Sequence, residues 1–187
     1  MPDGECEKTA RLPLLVRDAS PDCWSDVRNL HATALRQLRS PTLDADQVTA
    51  FLGNIYSPDY TSTLQSQSLL TAWYDDELVA TSGWLPADDS GMSARITAVF
   101  VSPLYTRMGV GRRMVRAIER KAGAAGFQSF SARVLPPALP FFEAMGYQRS
   151  SLGVFTVGTE YGIPIVFMRK GKPPPLSTAG CTEERAG

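Results

Sequence analysis

Histidine is almost missing from this chain: His31 is the only one among 187 residues. Cysteine is scarce too, and Cys6, Cys23 and Cys181 are odd in number and widely spaced. They form neither a metal-ligand spacing nor a disulfide framework, so no metal is expected and a reducing compartment is. No apolar run approaches the ~20 residues needed to cross a bilayer. The opening Met1-Pro2-Asp3-Gly4-Glu5-Cys6-Glu7 is acidic and lacks the basic and apolar regions of a signal peptide. A cytoplasmic protein is the resulting expectation. Net charge is also lacking, with 19 basic residues against 19 acidic ones. That balance argues against nucleic acid or an anionic membrane as partner.

What is present is the composition of an ordinary globular domain, 43% hydrophobic and 20% charged. The length fits one domain with a substantial core. Residues 1–11 and the tail 170–187, which contains Pro173-Pro174-Pro175, are polar and read as loose, leaving a folded unit over about 12–169. Leu12 to Arg17 reads as a strand. Ser20-Pro21 gives a cap and a proline for a helix over 21–38 with an apolar face, and a second helix fits Asp44 to Ile55. Residues 57–66, rich in Ser, Pro, Asp and Thr, read as a loop.

Two apolar runs flanking Asp75-Asp76-Glu77 predict a hairpin, and Asp88-Asp89-Ser90-Gly91 a turn before the strand Arg95 to Val101. A helix ending at Gly126, a strand Ser129 to Leu135, a short helix Pro137 to Met145 and a closing hairpin follow. The order βααβββαβαββ predicts an α/β (α+β) fold, a mixed, mostly antiparallel sheet flanked by helices.

The most informative segment is Ala98-Val99-Phe100-Val101-Ser102-Pro103-Leu104-Tyr105-Thr106-Arg107-Met108-Gly109-Val110-Gly111-Arg112-Arg113. It reads as a strand, a turn and a helix start carrying two glycines among arginines. Such a start presents unpaired N–H groups to an anion, with a dipole term of roughly 0.3–1 kcal/mol. Arg107, Arg112, Arg113, Arg116, Arg120 and Lys121 crowd the same stretch, with only Glu119 opposing them. A phosphate loop of the nucleotide-hydrolase kind is excluded, because Gly111 is followed by Arg112-Arg113 rather than Lys-Ser/Thr. A dinucleotide-binding reading of Gly109 and Gly111 lacks the third glycine.

Val99 to Gly111 resembles, in register, the Pro-x-Tyr, Gln/Arg-x-x-Gly-x-Gly/Ala signature of the GNAT superfamily of acyltransferases, with Thr106 where Gln or Arg is usual. Pro140-Phe141-Phe142-Glu143-Ala144-Met145-Gly146-Tyr147 resembles that family's Phe-Tyr-x-x-x-Gly-Phe helix ending. Gly162 to Met168 is similar to the last strand of a bacterial subgroup of small GNAT proteins, which the His31 to Gln47 region also resembles. The resemblance implies a GNAT-like sheet and acetyl-CoA as cosubstrate, with no metal. The backbone of Val99, Phe100 and Val101 would then hold the acetyl and pantetheine portion along a strand splayed from its neighbour. Thr106, Arg107, Met108, Gly109, Val110, Gly111 and Arg112 would hold the pyrophosphate, with added charge from Arg113. Transfer would be direct attack by an amine, without a covalent intermediate. Small proteins of this kind are often homodimers.

The sequence also departs from the family. Phe142 occupies the place of a tyrosine proposed to protonate the leaving thiolate, and Pro137 stands where asparagine is common. Tyr105 and Tyr147 are candidate replacement acids, although a turn and a core position are the plainer readings. His31 reads first as a packed side chain and second as a base. Trp84 reads as packing first and as acceptor-lining second. The expectation is an acetyl-CoA-dependent N-acetyltransferase acting on a small-molecule amine. The alternative is an acyl-CoA-binding sensor or interaction protein with little catalysis.

Overall fold

The computed structural model describes residues 13–38, 43–88, 91–157 and 161–171. The segments 1–11 and 172–187, and Asp89-Ser90 of the expected turn, lie outside the described residues. Strand β1 (Leu15–Asp18) leads through a single 3-10 turn (Pro21–Cys23) into α1 (Trp24–Gln37), followed by α2 (Ala45–Ile55) and α3 (Pro58–Gln65). Then come β2 (Ser68–Tyr74), β3 (Glu77–Pro86), β4 (Ser93–Val101), α4 (Val110–Ala124), β5 (Ser129–Val134), α5 (Leu139–Ala144), β6 (Gln148–Val157) and β7 (Tyr161–Gly171). The strands form one sheet in the order β1-β2-β3-β4-β5-β7-β6. Among the described residues only β4 and β5 pair in parallel, as their connection through α4 requires.

Local chemistry explains the helix starts. Asp44 Oδ1 accepts the Gln47 N–H at 2.7 Å while Gln47 Oε1 accepts the Asp44 N–H at 3.0 Å, a reciprocal cap on α2. Ser20 does not cap with its side chain; its carbonyl instead accepts the Cys23 N–H at 3.1 Å, and the chain turns once before α1 begins. The expected loop 57–66 is in fact the helix α3. Ser57 Oγ accepts the Tyr60 N–H at 3.3 Å and Pro58 occupies the first turn, so a polar composition concealed a regular helix start.

The sheet separates two apolar layers. Leu69 packs with Val27 and Leu30 of α1 and Leu64 of α3, whereas its neighbour Leu70 packs with Met114 and Ile118 of α4. Adjacent strand residues point to opposite faces, so α1 and α3 cover one face and α4 the other. Phe142 and Leu139 of α5 join the α4 layer. Each such side chain contributes about 1.5–3 kcal/mol on full burial. Helix α2 reaches the far end of the sheet, where Gln47 donates its amide to Gly162 O at 2.8 Å and Phe51 meets Phe155. At that end β7 runs through Lys170 to Gly171, and the Lys170 ammonium pairs with Glu119 of α4 at 2.8 Å. Among the described residues no helix is long and apolar enough to cross a membrane.

Candidate functional site

Strand β4 breaks its pairing with β3 near its end. Thr81 faces Phe100 and Gly83 faces Thr97, so Ser82 alone spans Ala98 and Val99. Two residues against one is a β-bulge, and Ala98 at its head takes a φ of 48°. A left-handed conformation costs a residue with a Cβ roughly 1–2 kcal/mol, so the surroundings must hold it. Gly83 shows how tight they are: a Cβ there would lie 2.9 Å from Gln67 Oε1 and 3.0 Å from Thr97 Oγ1, which are hydrogen-bonded to each other.

Beyond the bulge the other edge of β4 opens. The pairing with β5 runs from Ser93–Ser129 to Ile96–Ala132 and stops there, while β4 continues to Val101. Arg133 and Val134 of β5 pair instead with Phe167 and Val166 of β7. The strands therefore diverge into a wedge. Ser102 donates its N–H to Val79 O at 2.8 Å, on the β3 side. Strand alternation then puts the Phe100 amide on that side and the amides of Val99 and Val101 on the wedge side.

The open edge leads straight into the glycine segment. A turn at Pro103–Tyr105 is followed by Arg107 at φ 62° and Gly109 at φ 78°, immediately before α4. The first main-chain bond of the helix is Arg113 N–H to Gly109 O at 3.0 Å, so the amides of Val110, Gly111 and Arg112 precede it. Gly111 has a second reason to lack a side chain. A Cβ there would sit 3.4 Å from both the Phe141 ring of α5 and Val101 of β4. The mouth of the wedge, the head of α4 and the start of α5 thus converge on one point. Arg107, Met108 and Arg112 are exposed around it, and Arg113 reaches back to Leu14 O at 2.9 Å. The Thr106 hydroxyl is spent locally, donating to Pro103 O at 2.9 Å.

The polar candidates for proton transfer are each engaged elsewhere. Tyr105 donates its hydroxyl to Glu77 Oε2 at 3.0 Å, and that hydrogen bond holds its pKa above the usual value. Tyr147 is buried, donating to Glu119 Oε1 at 2.8 Å; burial, then the Glu119 charge, raise its pKa. Phe142 is buried with its ring edge-on to both Phe141 and Tyr147. Trp84 packs edge-on against Phe127, just past the end of α4, with its indole nitrogen buried and without a hydrogen-bond partner.

His31 has no exposed surface, and burial pushes its pKa down to about 3. Its ring stacks on Phe100 at 3.9 Å between centroids. Nδ1 lies 2.8 Å from the Tyr60 hydroxyl and Nε2 lies 2.8 Å from Thr81 Oγ1. Thr81 in turn donates to Ala98 O at 2.7 Å, at the head of the bulge. Tyr60 and Thr81 were not legible as site residues. The Ser57-Pro58 start was the available signal for Tyr60, since it places that residue on the first turn of α3; nothing local marks Thr81.

A separate open cleft of about 350 Å³ carries Asp26, Asp76 and Glu77 beside Asn29 and Thr33. It lies against α1 at the β2–β3 turn, and Ser102, the residue that follows β4, also lines it. Among the described residues no group of three or more metal-ligating side chains forms.

The Acetyltransferase (GNAT) family matches over residues 24–147. Similar solved structures include a GCN5-related N-acetyltransferase from Rhodopseudomonas palustris, at TM-score 0.75 and 19% identity, covering 84% of this chain and 95% of that one. Another is the PaiA N-acetyltransferase of Thermoplasma acidophilum in complex with coenzyme A, at TM-score 0.68 and 14% identity, covering 85% and 99%. A third is the ribosomal-protein-alanine N-acetyltransferase of Brucella melitensis, at TM-score 0.59 and 16% identity, covering 84% and 99%. At these identities the likeness is one of fold. No curated protein matches the sequence.

Proposed function

The chain belongs to the GNAT family of acetyltransferases, and on that premise we propose that it transfers the acetyl group of acetyl-CoA directly to an amine of a small-molecule acceptor. The observation that carries this reading is the continuous path from the unpaired edge of β4 into the left-handed turn at the head of α4. Pantetheine would lie as a pseudo-strand along Val99, Phe100 and Val101. The pyrophosphate would meet the amides from Arg107 to Arg112 and the positive end of the helix dipole. That a fold neighbour binds coenzyme A supports the same ligand here.

In this arrangement the Val99 N–H faces the thioester oxygen. Attack by the amine gives a tetrahedral intermediate whose oxyanion that amide stabilises. One such donor is typically worth 10²–10³ in rate. Collapse expels the CoA thiolate as the amide bond forms, and the amine's proton passes to solvent. A thiol of pKa ~8.5 leaves without much assistance, so Phe142 in place of a proton donor is compatible with turnover. Loss of a general acid costs about 10²–10⁴. Calorimetry with acetyl-CoA, CoA and NAD tests the donor, and binding of NAD alone would overturn the reading. Thiol release across amines, amino acids and peptides tests the acceptor class.

A second reading, an acyl-CoA-binding sensor with little catalysis, draws on a specific observation. His31, Phe142 and Tyr147 are all buried, and the Tyr105 and Tyr147 hydroxyls are committed to carboxylates. Tight acetyl-CoA binding with a silent acceptor panel would favour it.

A further inference from the structure

The buried chain Tyr60–His31–Thr81 ends on the one carbonyl whose peptide partner is the Val99 N–H. Its direction is forced from that end. Ala98 O can only accept, so the Thr81 hydroxyl donates to it. Thr81 Oγ1 must then accept from His31 Nε2–H, which makes the ring the neutral Nε2–H tautomer. Its Nδ1 accepts the Tyr60 hydroxyl hydrogen. Every member is satisfied, and none points at the wedge.

We infer that His31, Thr81 and Tyr60 are positioning residues that aim and polarise the Val99 amide, so that His31 serves transfer without handling a proton. The inference rests on the proposed acetyl-CoA reading of the wedge. A trans peptide is planar with its C=O and N–H antiparallel. Fixing Ala98 O on the β3 side therefore fixes Val99 N–H on the wedge side. Ala98 sits at φ 48°, where an alanine does not rest by preference, so the plane needs an outside hold. The Gln67 and Thr97 side chains crowd the bulge but are hydrogen-bonded to each other. The hydroxyl of Thr81 bonds this peptide directly. A chain of three hydrogen bonds also polarises each link in turn, drawing electron density toward the carbonyl oxygen and strengthening the amide as a donor. The stacking of His31 on Phe100, two residues past Ala98, holds the ring in register with the strand it supports.

The test uses acetyl-CoA labelled with carbon-13 at the thioester carbonyl, bound to the full chain, with the carbonyl stretch read by infrared difference spectroscopy. In the wild type the bound carbonyl is expected below the frequency of free acetyl-CoA. Thr81→Val keeps the shape and removes the link, and should return the stretch most of the way toward the free value. Calorimetric affinity for CoA should stay within about twofold, which also certifies that the variant is folded. Thr81→Ser should restore the wild-type frequency. Where the acceptor panel gives turnover, kcat should fall roughly 10- to 100-fold in Thr81→Val, with KM for acetyl-CoA little changed. Should Thr81→Val not fold, Tyr60→Phe cuts the chain at its outer end and should move the stretch the same way by less. A carbonyl unmoved in the variants despite intact binding overturns this inference alone. Failure of the wild type to bind acetyl-CoA overturns the proposed function with it.

Discussion

His31 Nε2 and Thr81 Oγ1 stand 2.8 Å apart across the face between α1 and β3, in a place water does not reach. The consequence for pH follows from the sign of the shift. The folded-state pKa is about 3, well below the ordinary 6.5 of an unfolded chain. Above pH 6.5 both states hold a neutral ring and the group contributes no pH dependence. Between about 6.5 and 3 the unfolded state binds a proton that the folded state refuses, so stability declines as pH falls. The slope approaches about 1.4 kcal/mol per pH unit. Denaturant unfolding across this window should show that component in the wild type and lose it in His31→Gln. An identical slope in both would contradict the burial of a neutral ring.

Gly109 answers to backbone geometry rather than space. A Cβ there would meet nothing within 4 Å, yet φ is 78°. Gly109→Val should therefore cost roughly 1–2 kcal/mol in folding and turn the loop amides away from their present directions. Calorimetry should read a drop in CoA affinity of tenfold or more, about 1.4 kcal/mol. An unchanged affinity would remove the pyrophosphate assignment.

Arg107 and Arg112 are exposed at the same helix start, where attraction to an anion is long-ranged and screened. CoA affinity should weaken steadily as sodium chloride is raised. Arg112→Ala should lower the low-salt affinity by about 0.3–1 kcal/mol and flatten the salt dependence. A salt-independent affinity would mean that the arginines are a solvated helix face and no more.

Lys170 and Tyr147 both donate to Glu119, at 2.8–2.9 Å, and the Glu119 side chain keeps only 11% of its surface exposed. Lys170→Met removes the countercharge from a mostly buried carboxylate. Thermal unfolding should show a loss of about 1–3 kcal/mol, with CoA affinity unaffected. Full stability in the variant would show that Glu119 is sustained by Tyr147 alone.

Much of this architecture was written in local patterns. Asp44 and Gln47 announce α2, and Gly126 and Gly146 close α4 and α5 at φ 101° and 88°. The segment from Val99 to Gly111 announced the helix start, while the open edge was implied only by its resemblance to the GNAT signature. Other features were hidden for physical reasons. Residues 57–66 are polar because α3 buries little beyond Leu64, so composition pointed to a loop while Ser57-Pro58 pointed to a helix. The bulge is invisible because its left-handed residue is Ala98, which no turn rule flags. The hydroxyl bonded to its carbonyl belongs to Thr81, 17 residues earlier, and that hydroxyl's other partner, His31, lies 50 residues before that. Trp84 at a strand end could have faced any of several neighbours, and only packing decides that it meets Phe127. Burial likewise decides His31: an apolar helix face does not reveal which hydroxyls wait opposite.

The strand order carries a last consequence, for biosynthesis. β7 lies between β5 and β6 in the sheet although it follows both along the chain. While the chain is still emerging from the ribosome, β5 has a partner only on its β4 side, and β6 has none. Until β7 inserts, a bare β5 edge stands ready to pair with another nascent copy. Insertion of β7 seals that edge and brings Lys170 to Glu119 in the same step. It also pairs with Arg133 and Val134, the residues at which β5 turns away from β4. The wedge is thus completed by the last strand among the described residues, and a ribosome-bound chain halted before β7 should bind no CoA.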